Sequence, residues 1–146
     1  MSKKQAPFCA AQFTATKWAS AEEKAKWANT MVSWIQRDFP LNGWTKNLYH
    51  HLSNMYGHIA HYNQIGFYGN WFETIHQRLE WLQYIAHKGN FGCLGDPTWT
   101  WSDVEQAFSA WVCQSGLIEC YQQRCAQDIE RRERAQLAAL QAKYKE

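Results

Sequence analysis

TKNLYHHLSNMYGHIAHYNQIGFYGNWFETIHQRLEWLQYIAHK, residues 45–88, is the stretch whose reading decides the fold. Leu48, Leu52, Met55, Ile59 and Tyr62 recur at three- and four-residue steps, and Trp71, Ile75, Leu79, Leu82 and Ile85 do the same. That period places each set on one face of a helix. Between them lies Gly66-Phe67-Tyr68-Gly69-Asn70, where a glycine can close one helix and an asparagine can open the next. The pattern predicts an antiparallel helical hairpin over about 45–88, with Thr45 capping its first helix and Asn70 with Glu73 opening its second.

Helical signals extend on both sides. Ser20-Ala21-Glu22-Glu23 reads as a capping box, in which serine and glutamate satisfy each other's backbone N–H. Trp27, Met31 and Trp34 follow as core candidates, and the helix must close near Asp38 because Pro40 restricts Phe39 and carries no N–H donor. Ser102-Asp103-Val104-Glu105 predicts another capped start, with a face of Val104, Phe108, Trp111 and Val112 ending at Gly116. A last helix is expected from about Glu119 to Tyr144. Its charges alternate in sign at 128–134, as they do on an exposed helix sustained by pairs four residues apart. The apolar heptad is too short for a coiled coil. The expected architecture is therefore an all-α bundle of about five helices around the central hairpin, with a long charged C-terminal helix. Residues 1–19 are expected to form an N-terminal arm, whose Phe8 and Phe13 could anchor it across the body or cover a partner's groove, and 20–146 one helical domain whose C-terminal helix end could project.

Composition narrows the function classes. Nine Trp, seven Tyr and seven Phe stand in 146 residues of which only 19% are charged. Such a surplus of rings serves cores and binding surfaces alike. The net charge of +2 is too small to point to a nucleic-acid partner, although residues 1–69 carry +4 of it. No apolar run spans a membrane and Met1-Ser2-Lys3-Lys4 opens no signal peptide, so a cytoplasmic location is expected. Cys9, Cys93, Cys113, Cys120 and Cys125 then read as thiols, and none shows zinc-knuckle spacing.

Two classes of site remain. Trp99 and Trp101 sit in the irregular connection 91–101, together with Phe91. Ordered loop aromatics are the usual material of interface hot spots, but the same two tryptophans could plug the end of the bundle. With Phe67 and Tyr68 of the expected interhelical turn, they form the candidate binding set. The second class is a metal site. His58 and His61 share a helix face, and Glu73-x-x-His76 is the fragment that di-iron and di-manganese bundles use twice. Here it occurs once, and the four would need both polar faces to point at each other. Zinc, iron or manganese would be the metal. On the other reading no cofactor is required, and His76 pairs locally with Glu80.

No phosphate-cradling glycine motif, serine elbow or cofactor fingerprint is present. A helix-turn-helix reading of 104–125 is opposed by Glu119 at the start of the would-be reading helix. The expected function is a non-enzymatic protein-interaction module, an adaptor or steric inhibitor of a larger enzyme or nucleoprotein complex. Such a protein would act as a monomer or homodimer. The alternatives are a metal-dependent oxidase or hydrolase and a weak nucleic-acid binder.

Overall fold

A computed structural model describes residues 7–53, 63–87 and 96–145. Among them run six α-helices and no strand: α1 (Ala21–Gln36), α2 (Lys46–Ser53), α3 (Gln64–Trp71), α4 (Ile75–Ala86), α5 (Ser102–Ser115) and α6 (Leu117–Lys143). The chain is an all-α bundle.

α1 begins where the sequence places it. Ser20 Oγ accepts from Glu23 N at 3.1 Å while Glu23 Oε1 accepts from Ser20 N at 3.3 Å. Its end is sharp, because Asp38 and Phe39 both take left-handed backbone angles, φ 72° and 54°. Non-glycine residues adopt that region only when their surroundings hold them there. Here the Phe39 ring is fully buried and its carbonyl accepts from Tyr68 Oη at 2.7 Å. Arg124 of α6 grips the Asp38 carboxylate through two N–H groups at 2.8 and 3.2 Å, and the Tyr121 hydroxyl donates to it as well. These bonds hold the Asp38 carboxyl below its ordinary range despite the opposing effect of burial.

The core is built of rings. Trp34, Phe39, Phe72 and Trp81 meet with centroids 5.1–6.1 Å apart, and Trp44 and Phe67 extend the cluster. Each such contact contributes about 0.5–1.5 kcal/mol beyond area burial. Gly43 lies against this cluster so closely that a Cβ there would meet the Trp34 ring at 2.8 Å.

The central stretch differs from its sequence reading. Gly66 to Asn70 is not a turn but the body of α3. Asn63 caps it, accepting from Gly66 N at 2.6 Å, and Asn70 donates back to Gly66 O at 3.0 Å instead of opening a helix. Burial of Phe67 and Tyr68 overrides the poor helix propensity of the two glycines. The next helix opens at Thr74, which forms a capping box with Gln77. The expected box at Ser102 does not form either: Asp103 turns to α1 and Glu105 turns inward.

α6 continues well beyond the body. At 1.5 Å per residue its 27 residues span about 40 Å. Tyr121 and Cys125 are buried, whereas Ile129, Leu137, Leu140 and Tyr144 are exposed. Arg132 pairs with Asp128 and Arg134 with Glu130 along its surface.

Lys24 is the one ammonium in the described core, with 0% exposure. Its Nζ donates to Pro97 O and Thr100 O, both at 3.0 Å, and to Asp103 Oδ1 at 2.9 Å. Asp103 also accepts from Thr14 N at 2.9 Å, which brings the N-terminal arm to the same point. The arm is further held by a reciprocal pair between the Phe8 backbone and the Asn29 amide. Removing one partner of a buried ion pair strands the other. Lys24→Met is expected to destabilise the fold by about 3–5 kcal/mol, read as a lower urea midpoint with unchanged slope. A loss below about 1 kcal/mol would show that the ammonium is dispensable.

Candidate functional site

Two tight turns from distant parts of the chain meet beside His50 and His51 in the C-terminal half of α2. In the first, Thr16 Oγ1 accepts from Trp18 N at 3.1 Å and Ala19 N at 2.9 Å, while Thr16 N donates to Ala19 O at 2.7 Å. In the second, Asp96 O accepts from Trp99 N at 2.9 Å and Thr100 N at 3.0 Å. Asp96 Oδ1 also takes the N–H and hydroxyl of Thr98, which holds that carboxyl below its usual range. Side-chain-closed turns of this kind fix the chain locally.

Each turn presents a tryptophan to solvent. Trp18 is 70% exposed and Trp99 61% exposed, yet their ring centroids lie 5.9 Å apart at 59°. The rings therefore touch and form one bent aromatic wall. Behind them Trp101 is only 4% exposed, stacked on His51 at 4.6 Å and 16° and edge-on to Trp27. The wall, the two histidines of α2 and Thr100 enclose a cleft of about 420 Å³. That volume lies within the usual range for ligand sites. Burial and the neighbouring His50 hold the His51 imidazole below its ordinary pKa, against the pull of Glu23, so it is neutral at pH 7. A smaller hollow of about 220 Å³ adjoins it across His51, lined by Glu23, Lys26 and Asn47 among others.

The candidates from the sequence are sorted by this arrangement. Trp99 is a surface ring, whereas Trp101 is a plug: Leu48, Phe108 and Trp27 share the core with it. Phe67 and Tyr68 are also buried, because the segment that carries them is a helix packed on the aromatic core rather than an exposed turn. Phe67 and Tyr68 are thus core rings, and Trp101 meets the surface only where it lines the cleft. Phe91 lies outside the described residues, as do His58 and His61. Of the metal candidates that are described, Glu73 is exposed and His76 places Nε2 3.1 Å from Asp128 Oδ2 on α6, not beside Glu80. His76, Arg131 and Arg132 together hold the Asp128 carboxyl below its ordinary range. Among the described residues, no group of three or more His, Cys, Asp or Glu side chains could hold a metal ion. The described cysteines are free thiols.

Sequence reasoning missed Trp18, His50 and His51. Trp18 lies in an aperiodic segment, and a tryptophan without a helical period was the one signal available. The two histidines lack metal-ligand spacing and carry no motif of their own. A broader depression of about 550 Å³ runs between α4 and the start of α6, bordered by Glu80, Tyr84, His87 and Ile118. It lacks the convergence of fixed rings seen in the cleft.

A second unusual group lies inside. Glu105 on α5 is 3% exposed, and among the described residues its Oε2 and the Ser109 hydroxyl one turn later have no hydrogen-bond partner. Burial pushes the Glu105 carboxyl up to about 8, so the neutral acid is the folded form at pH 7. Compared with family models, curated proteins and solved structures, the chain matches none.

Two expected outcomes follow from these burials. Trp101→Ala should cost about 3–5 kcal/mol in urea unfolding, as a large-to-small core change does, while Trp18→Ala and Trp99→Ala should each cost less than about 1 kcal/mol. Equal losses at all three positions would place the exposed rings in the core. For Glu105, the folded value lies above the ordinary 4.5, so the folded state holds the extra proton between pH 4.5 and about 8 and stability falls as pH rises through that window. Glu105→Gln removes the titration. Its advantage in melting experiments should nearly vanish at pH 4 and grow to roughly 5 kcal/mol at pH 9. A pH-independent difference would contradict the buried acid.

Proposed function

We propose that this chain is a non-enzymatic protein-interaction module, an adaptor or steric inhibitor of a larger enzyme or nucleoprotein complex. The observation that carries this reading is the pair of exposed tryptophans, Trp18 and Trp99, held in contact on two internally hydrogen-bonded turns. Exposed large rings on fixed backbone lose little conformational freedom when a partner covers them. They are also the residue type most enriched among interface hot spots. The cleft lies beside the mildly basic front half of the chain, where Lys17, Lys26 and Lys46 can set orientation and encounter rate. Among the described residues, no helix is long and apolar enough to cross a membrane. The expected setting is the cytoplasm, and function there would be steric: the partner's surface is occupied rather than chemically changed.

Capture of partners by the intact protein from its native host, repeated with the Trp18→Ala/Trp99→Ala double variant, tests the reading. The expected result is a stoichiometric protein partner retained by the wild type and lost from a double variant whose helical signal and melting temperature are unchanged. Retention of the same partners by both proteins would overturn it.

A further inference from the structure

We infer that α6 pairs with α6 of a second copy of this chain, antiparallel, along the stripe Ile129, Glu133, Leu137, Leu140 and Tyr144. The stripe lies beyond the body. Cys125, whose thiol meets Ile75 O, and Asp128, which meets His76, tie α6 to α4, and every residue from Ile129 to Lys145 is exposed. At about 100° per residue, Ile129, Leu137, Leu140 and Tyr144 fall within an arc of about 80° that also holds Glu133. That arc is turned by about 100° from the side carrying Tyr121 and Cys125, which are buried. A helix laid on the stripe therefore need not displace the body. Single exposed apolar residues are ordinary, but these four make one continuous face about 22 Å long on a helix with no core beneath it. The steps along it are four, four, three and four residues, so it suits a short, nearly straight pair rather than a heptad coiled coil.

Charge identifies the occupant. Along the exposed stretch, Arg131 and Arg132 are engaged by Asp128, and Arg134 by Glu130. Among the described residues, the charges left there without an ion-pair partner are Glu133 towards one end of the stripe and Lys143 and Lys145 at the other. The stripe is thus acidic at its start and basic at its finish, which makes it complementary to itself turned end for end. With two copies centred on the middle of the stripe, the leucines meet one another and Ile129 lies against Tyr144 of the second copy. Glu133 then comes within about one helical turn, 5.4 Å along the axis, of Lys143 of the second copy. Twofold symmetry makes each of these contacts twice. A parallel pair would set Glu133 against Glu133 inside an apolar seam, and a partner of uniform charge would meet a like charge at one end. Two faces of this length bury on the order of 1,000 Å², the low end for a specific interface, so the dimer is a reversible one.

The test is sedimentation equilibrium of the full chain under reducing conditions, from about 1 to 300 µM, a range that brackets the micromolar dissociation constant of a small interface. The expected result is a mass that rises from one chain to two across that range. Leu137→Asp/Leu140→Asp should hold the protein at one chain throughout with its melting temperature unchanged, because both side chains lie outside the core. Orientation is read by exchanging charges. Glu133→Lys and Lys143→Glu should each weaken the dimer about three- to tenfold by setting like charges together at two symmetric places, and the double variant Glu133→Lys/Lys143→Glu should restore it. In a parallel seam the double variant would recover nothing, because each position would face its own copy. A single chain at every concentration, a dimer that survives Leu137→Asp/Leu140→Asp, or a double variant no tighter than its parents would overturn the inference. None of these outcomes bears on the Trp18–Trp99 cleft, whose reading stands or falls on partner capture alone.

Discussion

The buried ammonium of Lys24 is the constraint on which the functional face depends. It reaches from α1 to two carbonyls of the 96–101 connection and to Asp103 at the start of α5. Those carbonyls have no helix or sheet of their own to satisfy them, and a buried unpaired carbonyl is costly. The same contact therefore neutralises Asp103, fixes the loop and, through Thr14 N, tethers the arm that carries Trp18. A hydrophobic residue at position 24 would fill the space but take the ammonium from the Pro97 and Thr100 carbonyls and the counter-charge from Asp103. The cleft exists because one cation lies behind it.

The aromatic core supplies a complementary constraint at the opposite end of α1. Asp38 and Phe39 accept unfavourable backbone angles because Phe39 fills the centre of the ring cluster and Asp38 meets Arg124 and Tyr121 of α6. This turn joins the first and last helices of the body, so the strain is distributed over contacts that are independent of the cleft. Trp101 links the two regions. It seals the core against Trp27 and stacks on His51, leaving His51 as the shared boundary of the cleft and its smaller neighbour.

Much of the fold was legible because it follows from local rules. Ser20 and Glu23 announced α1, Thr45 caps α2 through Leu48 N, and Gly116 ends α5 at φ 80°. Gly66 and Asn70 misled because punctuation residues were read without the burial of Phe67 and Tyr68, which is set by tertiary packing. Lys24 was illegible for another reason. On an amphipathic helix a lysine is ordinarily solvated, and its partner stands 79 residues away. Trp99 and Trp101 could not be separated by composition or motif, since only the geometry of the turn decides which of two neighbouring rings faces inward. Trp18 became part of the site only once the arm was folded back.

The surface consequence is a pair of large rings brought together without the support of a common helix. Nothing in sequence proximity requires residues 18 and 99 to touch, so their contact is the most exacting product of the Lys24 clamp and the two turns. The most direct measurement is the set of nuclear Overhauser effects between the two indole rings in the unliganded protein. Cross-ring signals between Trp18 and Trp99, together with signals from Trp101 to His51, are the predicted result. Absence of any Trp18–Trp99 contact in a protein whose Trp101–His51 signals are intact would contradict a preformed aromatic wall.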